Sequence, residues 1–182
     1  MAGQAELAGA LKAHLEAVKL LAIKPGQFFQ EVAPLPSYQA QALFVLPQVL
    51  VYVGGQAALS ARPLVTGLLA AAGSYAGIAL WTVVLRYTLR FFGERRSFFE
   101  VAHIATCSTL PLVLGWIPLA GAPLLCFGVG FYTYQGLTGA FKMNQGAAMA
   151  AVALPVVVSG LVGVLFSFVF LWLASLSTIF AP

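Results

Sequence analysis

Long apolar runs separated by short polar or proline–glycine punctuation dominate the chain, and their lengths predict helices that cross a membrane. A bilayer core takes about 20 helical residues, with a range of roughly 17–25. Five stretches approach that length: residues 38–59, 64–85, 98–117, 122–141 and 151–173. Ahead of them, residues 5–22 follow a different rhythm. Leu7, Leu11, Leu15, Val18 and Leu21 recur at helical spacing, with Glu6, Lys12, Glu16 and Lys19 off that face. This is the pattern of an amphipathic helix that lies in the membrane interface or docks on a protein body. His14 falls within the stripe. Next, the segment KPGQFFQEV (residues 24–32) predicts a short helix with Pro25 at its first position and with Phe28, Phe29 and Val32 on one face.

The punctuation sets the boundaries. Pro34 and Pro36 stop the short helix, and Ser37 is placed to cap the next. The first span carries Pro47, which predicts a kink, and the polar residues Gln41, Gln48 and Gln56. Arg62 and Pro63 make a tight turn into the second span, whose Gly73-x-x-x-Gly77 pattern is expected to let helices approach closely, within the monomer in preference to between copies. Ser97-x-x-Glu100 fits a capping box, in which the serine satisfies a helix-start amide and the glutamate reaches back. The third span therefore starts near Phe98, is interrupted at Pro111 and ends near Trp116. Residues 118–121 and 142–146 supply the remaining turns.

Composition supports a lipid environment. Residues are 61% hydrophobic and 8% charged, against about 25% charged in soluble domains. Nine Lys and Arg oppose five Glu, with no Asp. With five spans and the N-terminus inside, Lys12, Lys19, Lys24, Arg86, Arg90, Arg95, Arg96 and Lys142 are cytoplasmic and Arg62 alone is outside, a strong positive-inside asymmetry. The expectation is an all-α integral membrane protein, with an amphipathic cytoplasmic segment over residues 1–37 and a five-span domain over residues 38–182. Residues 1–37 contain no apolar run of the kind a cleaved signal peptide needs, so the first span is expected to act as an uncleaved anchor. Nucleic acid is an unsuitable partner, because the basic patch is short and adjoins the membrane.

Little in the spans looks catalytic. No Lys, Arg, Asp or Glu lies between Val101 and Phe141 or after Lys142, whereas proton relays place such groups at mid-membrane. Glu100, His103 and Cys107 share a helix face at i, i+3 and i+7, but three ligand types without a paired Cys-x-x-Cys or a second His make a poor zinc signature. Cys107 and Cys126 read as small buried thiols at different depths. No cofactor, metal or catalytic residue is expected. The polar residues Gln56, His103, Thr106, Thr109, Tyr132, Gln135 and Thr138 either hydrogen-bond helices together or line a cleft for a headgroup or small solute. Arg86, Arg90, Arg95 and Arg96 are candidates for contact with lipid headgroups.

Three features resemble the Yip family, five-span membrane proteins named for interaction with Ypt/Rab GTPases. They are the lead-in KPGQFFQEV, the third-span sequence ATCSTLPLVLGWIPLAG (residues 105–121), and FYTYQGLTGAFKMNQGAAMAAVALP (residues 131–155). The resemblance covers residues 23–170. With so short a lead-in it implies a bacterial-type member in an inner membrane, and the charge asymmetry places the N-terminus in the cytoplasm and the C-terminus outside. Eukaryotic members carry long cytosolic extensions linked to Rab partners, and about 37 residues precede the first span here, so no Rab binding is carried over. The expected function is non-enzymatic organisation of membrane lipids, of a membrane-protein partner, or of further copies of the chain. The alternative is a transporter, channel or lipid-flipping protein that uses the polar cleft.

Overall fold

The computed structural model describes residues 2–31, 35 and 37–158, with side chains from residue 12 onward. Regular structure among them is helical: α1 (Ala2–Ile23), α2 (Pro25–Glu31), α3 (Tyr38–Ala58), α4 (Pro63–Phe91), α5 (Phe98–Cys107), a 3₁₀ helix (Leu110–Leu114) and α6 (Gly121–Gly139). A further helix, α7, is described over Gln145–Val158. Val32, Pro34, Pro36 and the fifth expected span beyond Val158 lie outside the described residues. Among the described residues two helices, α3 and α4, are long and apolar enough to cross a membrane.

The helix boundaries follow local chemistry. Ser37 Oγ accepts from the Ala40 amide at the start of α3. The turn into α4 is closed by a 2.6 Å hydrogen bond between the Ser60 and Thr66 hydroxyls, and Pro63 occupies the first turn of α4. That helix continues to Phe91, beyond the expected end at residue 85. Arg86 and Arg90 are good helix formers, and the helix runs on through them past the end of the apolar run. At α5 the capping box is complete: the Glu100 amide donates to Ser97 Oγ, and the Ser97 amide donates to Glu100 Oε2 at 2.9 Å.

The early end of α5 has an identifiable cause. Ser108 Oγ donates to the Ile104 carbonyl at 2.8 Å, and Thr109 Oγ1 donates to the Thr106 carbonyl at 2.6 Å. Such back-bonding competes for the helical carbonyls, and Pro111 has no amide to continue the ladder. The chain tightens into a 3₁₀ helix, a form suited to short connecting pieces.

Packing is dense at the basic end of the bundle. There Leu21, Phe28, Phe29, Phe44, Leu85, Leu89, Val101, Ile104, Leu137 and Phe141 form the main core, joined by Ala148, Ala151 and Val152 of α7. The helix α2 lies against α6, with Phe28 and Phe29 buried. A β-carbon at Gly136 would sit 2.7 Å from Ile104 Cγ2 and 3.3 Å from the Phe29 ring, so the absence of a side chain lets α2 and α5 converge on α6. Toward the other end a smaller core of Val45, Val49 and Leu112 remains. Large apolar residues there face outward, Leu64 (84% exposed) and Leu68 (73%) among them. In water such a surface would drive association, whereas lipid matches it.

Three sequence expectations are corrected. The face of α1 that packs runs through His14, Ala17, Val18 and Leu21, with the His14 ring edge-on to Phe44 at 5.2 Å. Leu15 points away from it, 59% exposed. Of the expected stripe, His14, Val18 and Leu21 pack as predicted and Leu15 alone departs, while the Leu7 and Leu11 side chains lie outside the described residues. Cys126 is exposed and Cys107 alone is buried, since α6 turns its N-terminal half outward. A β-carbon at Gly73 or Gly77 would meet nothing within 4 Å among the described residues. Among the described residues the two glycines line a cavity, and no neighbour packs closely on either of them.

Candidate functional site

Two cavities flank α4 and share Ile78 in their walls. The larger, about 310 Å³, lies between α4 and the pair formed by the 3₁₀ helix and α6; Gly73, Gly77 and Leu69 face Leu125 and Val129 across it. The smaller, about 180 Å³, runs between α3, α4 and α5 and is walled by Ala42, Val45, Ile78, Ala79, Phe98 and Ala102. Tyr38, Gln41, Thr82 and Thr106 also line it, but two of these are engaged elsewhere. Thr82 Oγ1 donates to the Ile78 carbonyl, and Gln41 Nε2 donates to the Phe99 carbonyl.

The polar residues expected to share a cleft occupy several separate places. His103 is buried on α5, where Nδ1 accepts from the Leu35 amide at 3.4 Å and lies 3.9 Å from Cys107 Sγ. The ring thereby ties Leu35, in the link between α2 and α3, to α5. Thr106 faces the smaller cavity and Thr109 the larger. Gln135 Oε1 points at Gly26 of α2, and Thr138 Oγ1 donates to the Tyr134 carbonyl. Tyr132 packs half-buried against the main core, and Gln56 is half-buried on α3. Glu100, which shares the His103 face in sequence, is taken up by the Ser97 cap.

A buried relay links three helices instead. Trp81 Nε1–H donates to Thr133 Oγ1 (3.2 Å), Thr133 Oγ1 donates to Ser108 Oγ (3.0 Å), and Ser108 Oγ donates to the Ile104 carbonyl (2.8 Å). Each hydroxyl both accepts and donates, so the chain is satisfied through to its terminal carbonyl and its bonds polarise one another. Sequence reasoning missed Trp81 and Thr133. The available signal was a tryptophan inside a span, since such residues favour the interface. It was masked because the shorter expected span placed Trp81 near its end. Gln48 is buried with neither side-chain amide atom paired among the described residues.

The basic rim divides by role. Arg96 is tied back onto the fold: Nε lies 3.3 Å from Glu94 Oε2, a guanidinium N–H donates to the Phe141 carbonyl, and the group stands 4.6 Å from the centre of the Phe141 ring. Arg90 and Arg95 are exposed. Arg86 is half-buried, its guanidinium 5.7 Å from the centre of the Phe98 ring, and its Nε is buried without an acceptor among the described residues.

A family model described as the Yip1 domain matches residues 18–176. No curated protein and no solved structure matches the chain.

Proposed function

The chain belongs to the Yip1 domain family, a family of membrane proteins, and from that premise we propose that it is a non-enzymatic, five-span protein that organises membrane lipids or partner proteins. In this reading it resides in a bacterial inner membrane with its N-terminus cytoplasmic and its C-terminus outside. The basic residues then gather at the cytoplasmic face, and Leu15, Arg90 and Arg95 are free to meet lipid or a partner there.

One observation carries the choice of function. The Thr133 and Ser108 hydroxyls and the Trp81 indole are paired with one another, the Thr82 and Thr109 hydroxyls donate to backbone carbonyls, and the two cavities are walled mainly by apolar side chains. A solute pathway needs polar groups free to replace water, and a proton relay needs ionisable groups at mid-depth. Apolar slots beside a basic rim suit lipid tails and headgroups. The absence of Lys, Arg, Asp and Glu between Val101 and Phe141 favours the same reading.

Reconstitution tests it. Proteoliposomes containing the chain should match protein-free vesicles in lipid scrambling and in solute efflux. Flux above that baseline, abolished by His103→Ala or Gln135→Ala, would overturn the organising role in favour of transport.

A further inference from the structure

We propose that the slot between α3, α4 and α5 binds one acyl chain of an anionic phospholipid, with Arg86 holding its phosphate at the mouth. This deepens the proposed function and rests on its lipid-organising half.

Geometry puts charge and apolar volume together. Thr82 lines the slot on α4, and Arg86 follows one turn later on the same helix. The Arg86 guanidinium stands over Phe98, itself a wall of the slot, at 5.7 Å from the ring centre. Tyr38, also in the wall, lies 6.5 Å from Phe98 and 5.1 Å from Phe99 by ring centres. An arginine among aromatic rings at the start of two spans is the composition of a headgroup-level rim. Small and branched residues, Ala42, Val45, Ala79 and Ala102, also wall the slot.

Electrostatics selects the headgroup. The Arg86 Nε is buried and lacks an acceptor among the described residues. The nearby carboxylates are committed: Glu94 to Arg96, and Glu100 to Ser97. Phosphate oxygens provide the strong planar-matched acceptor that a guanidinium lacks here. The uncompensated charges of Arg86, Arg90 and Arg95 favour a lipid with net negative charge over a zwitterionic one.

Size selects the tail. One turn of helix about 10 Å wide and 5.4 Å long occupies roughly 400 Å³, more than the slot's 180 Å³. A partner helix therefore cannot enter, while a segment of a single hydrocarbon chain, a few methylenes long, can lie in it and the rest continue into the surrounding lipid.

The test is native mass spectrometry of the full chain in nanodiscs made from an equal mixture of phosphatidylcholine and phosphatidylglycerol. The wild type should retain phosphatidylglycerol in excess. Arg86→Gln should cut that retention about tenfold or more, as expected for loss of a charge-assisted hydrogen bond. Ala79→Phe, an exposed position in the slot wall, should abolish it with Arg86 intact. The double change Arg90→Gln and Arg95→Gln should leave most of it. Retention lost in that double variant but kept in Arg86→Gln and Ala79→Phe would overturn the slot while sparing the lipid reading. Equal retention of both lipids by the wild type would overturn the headgroup assignment. Retention of no lipid by any variant would remove the slot and the lipid half of the proposed function together.

Discussion

The indole of Trp81 reaches Thr133 across the gap between α4 and α6, donating to its hydroxyl at 3.2 Å. Beside that bond lies the cavity of about 310 Å³, so a polar bridge joins helices where apolar packing leaves space. The bundle is thus fastened by apolar interlocking at its basic end and by a hydroxyl relay deeper in.

Thr133→Val keeps the shape of the side chain and removes both of its hydrogen bonds. It should destabilise the protein by about 1–2 kcal/mol, the range for a lost hydrogen bond that strands a partner in a membrane interior. Trp81→Phe leaves Thr133 bonded to Ser108 and should cost less. Reversible unfolding in mixed micelles would rank the two. Equal or negligible losses would mean that the relay does not hold α4 to α6.

Glycines in α4 and α6 should respond in opposite directions to alanine. At Gly136 the added carbon meets Ile104 and Phe29, and overpacking costs about 1–3 kcal/mol. At Gly73 and Gly77 it meets nothing within 4 Å among the described residues, so alanine should stabilise the helix by about 0.5–1 kcal/mol each. Thermal denaturation in detergent distinguishes the signs. A loss at Gly73 would show that close packing operates at that position.

Arg96 and Arg95 are neighbours with different tasks. Arg96→Ala loses the contacts to Glu94 and Phe141 and should cost about 1–2 kcal/mol. The Glu94 share should fade as salt is added, because the pair is partly exposed and screened by solvent and ions. Arg95→Ala, at an exposed position, should stay within about 0.5 kcal/mol. Melting curves at low and high salt would check both.

Ser97→Ala should cost about 1 kcal/mol by removing the α5 cap. Glu100→Gln should cost less, since glutamine also serves in a capping box. If the glutamate change proves the more damaging in unfolding measurements, its charge matters beyond the cap.

Much of this fold was legible because proline, glycine and caps act locally. Ser37, Pro63 and the Ser97–Glu100 box fix helix starts within a residue of where the sequence places them. The three stretches that carry the family resemblance also meet in space: Phe29 of the lead-in packs at Gly136 and Gly139 of α6, and Ser108 accepts a hydrogen bond from Thr133 of α6. What the sequence concealed depends on tertiary choice. The apolar stripe of α1 offered several docking edges, and only contact with Phe44 selects the one through His14 and Leu21. Thr133 and Trp81 lie 52 residues apart, and nothing local to either marks the other as its partner. Arg96 reads like its basic neighbours until the Phe141 ring is placed beside it.

The most direct measurement is native mass spectrometry of the full chain extracted within its own membrane patch, without detergent exchange. The expected result is a stoichiometric companion, either a retained anionic lipid or a second protein. A bare monomer, with neither companion across independent preparations, would contradict the organising role.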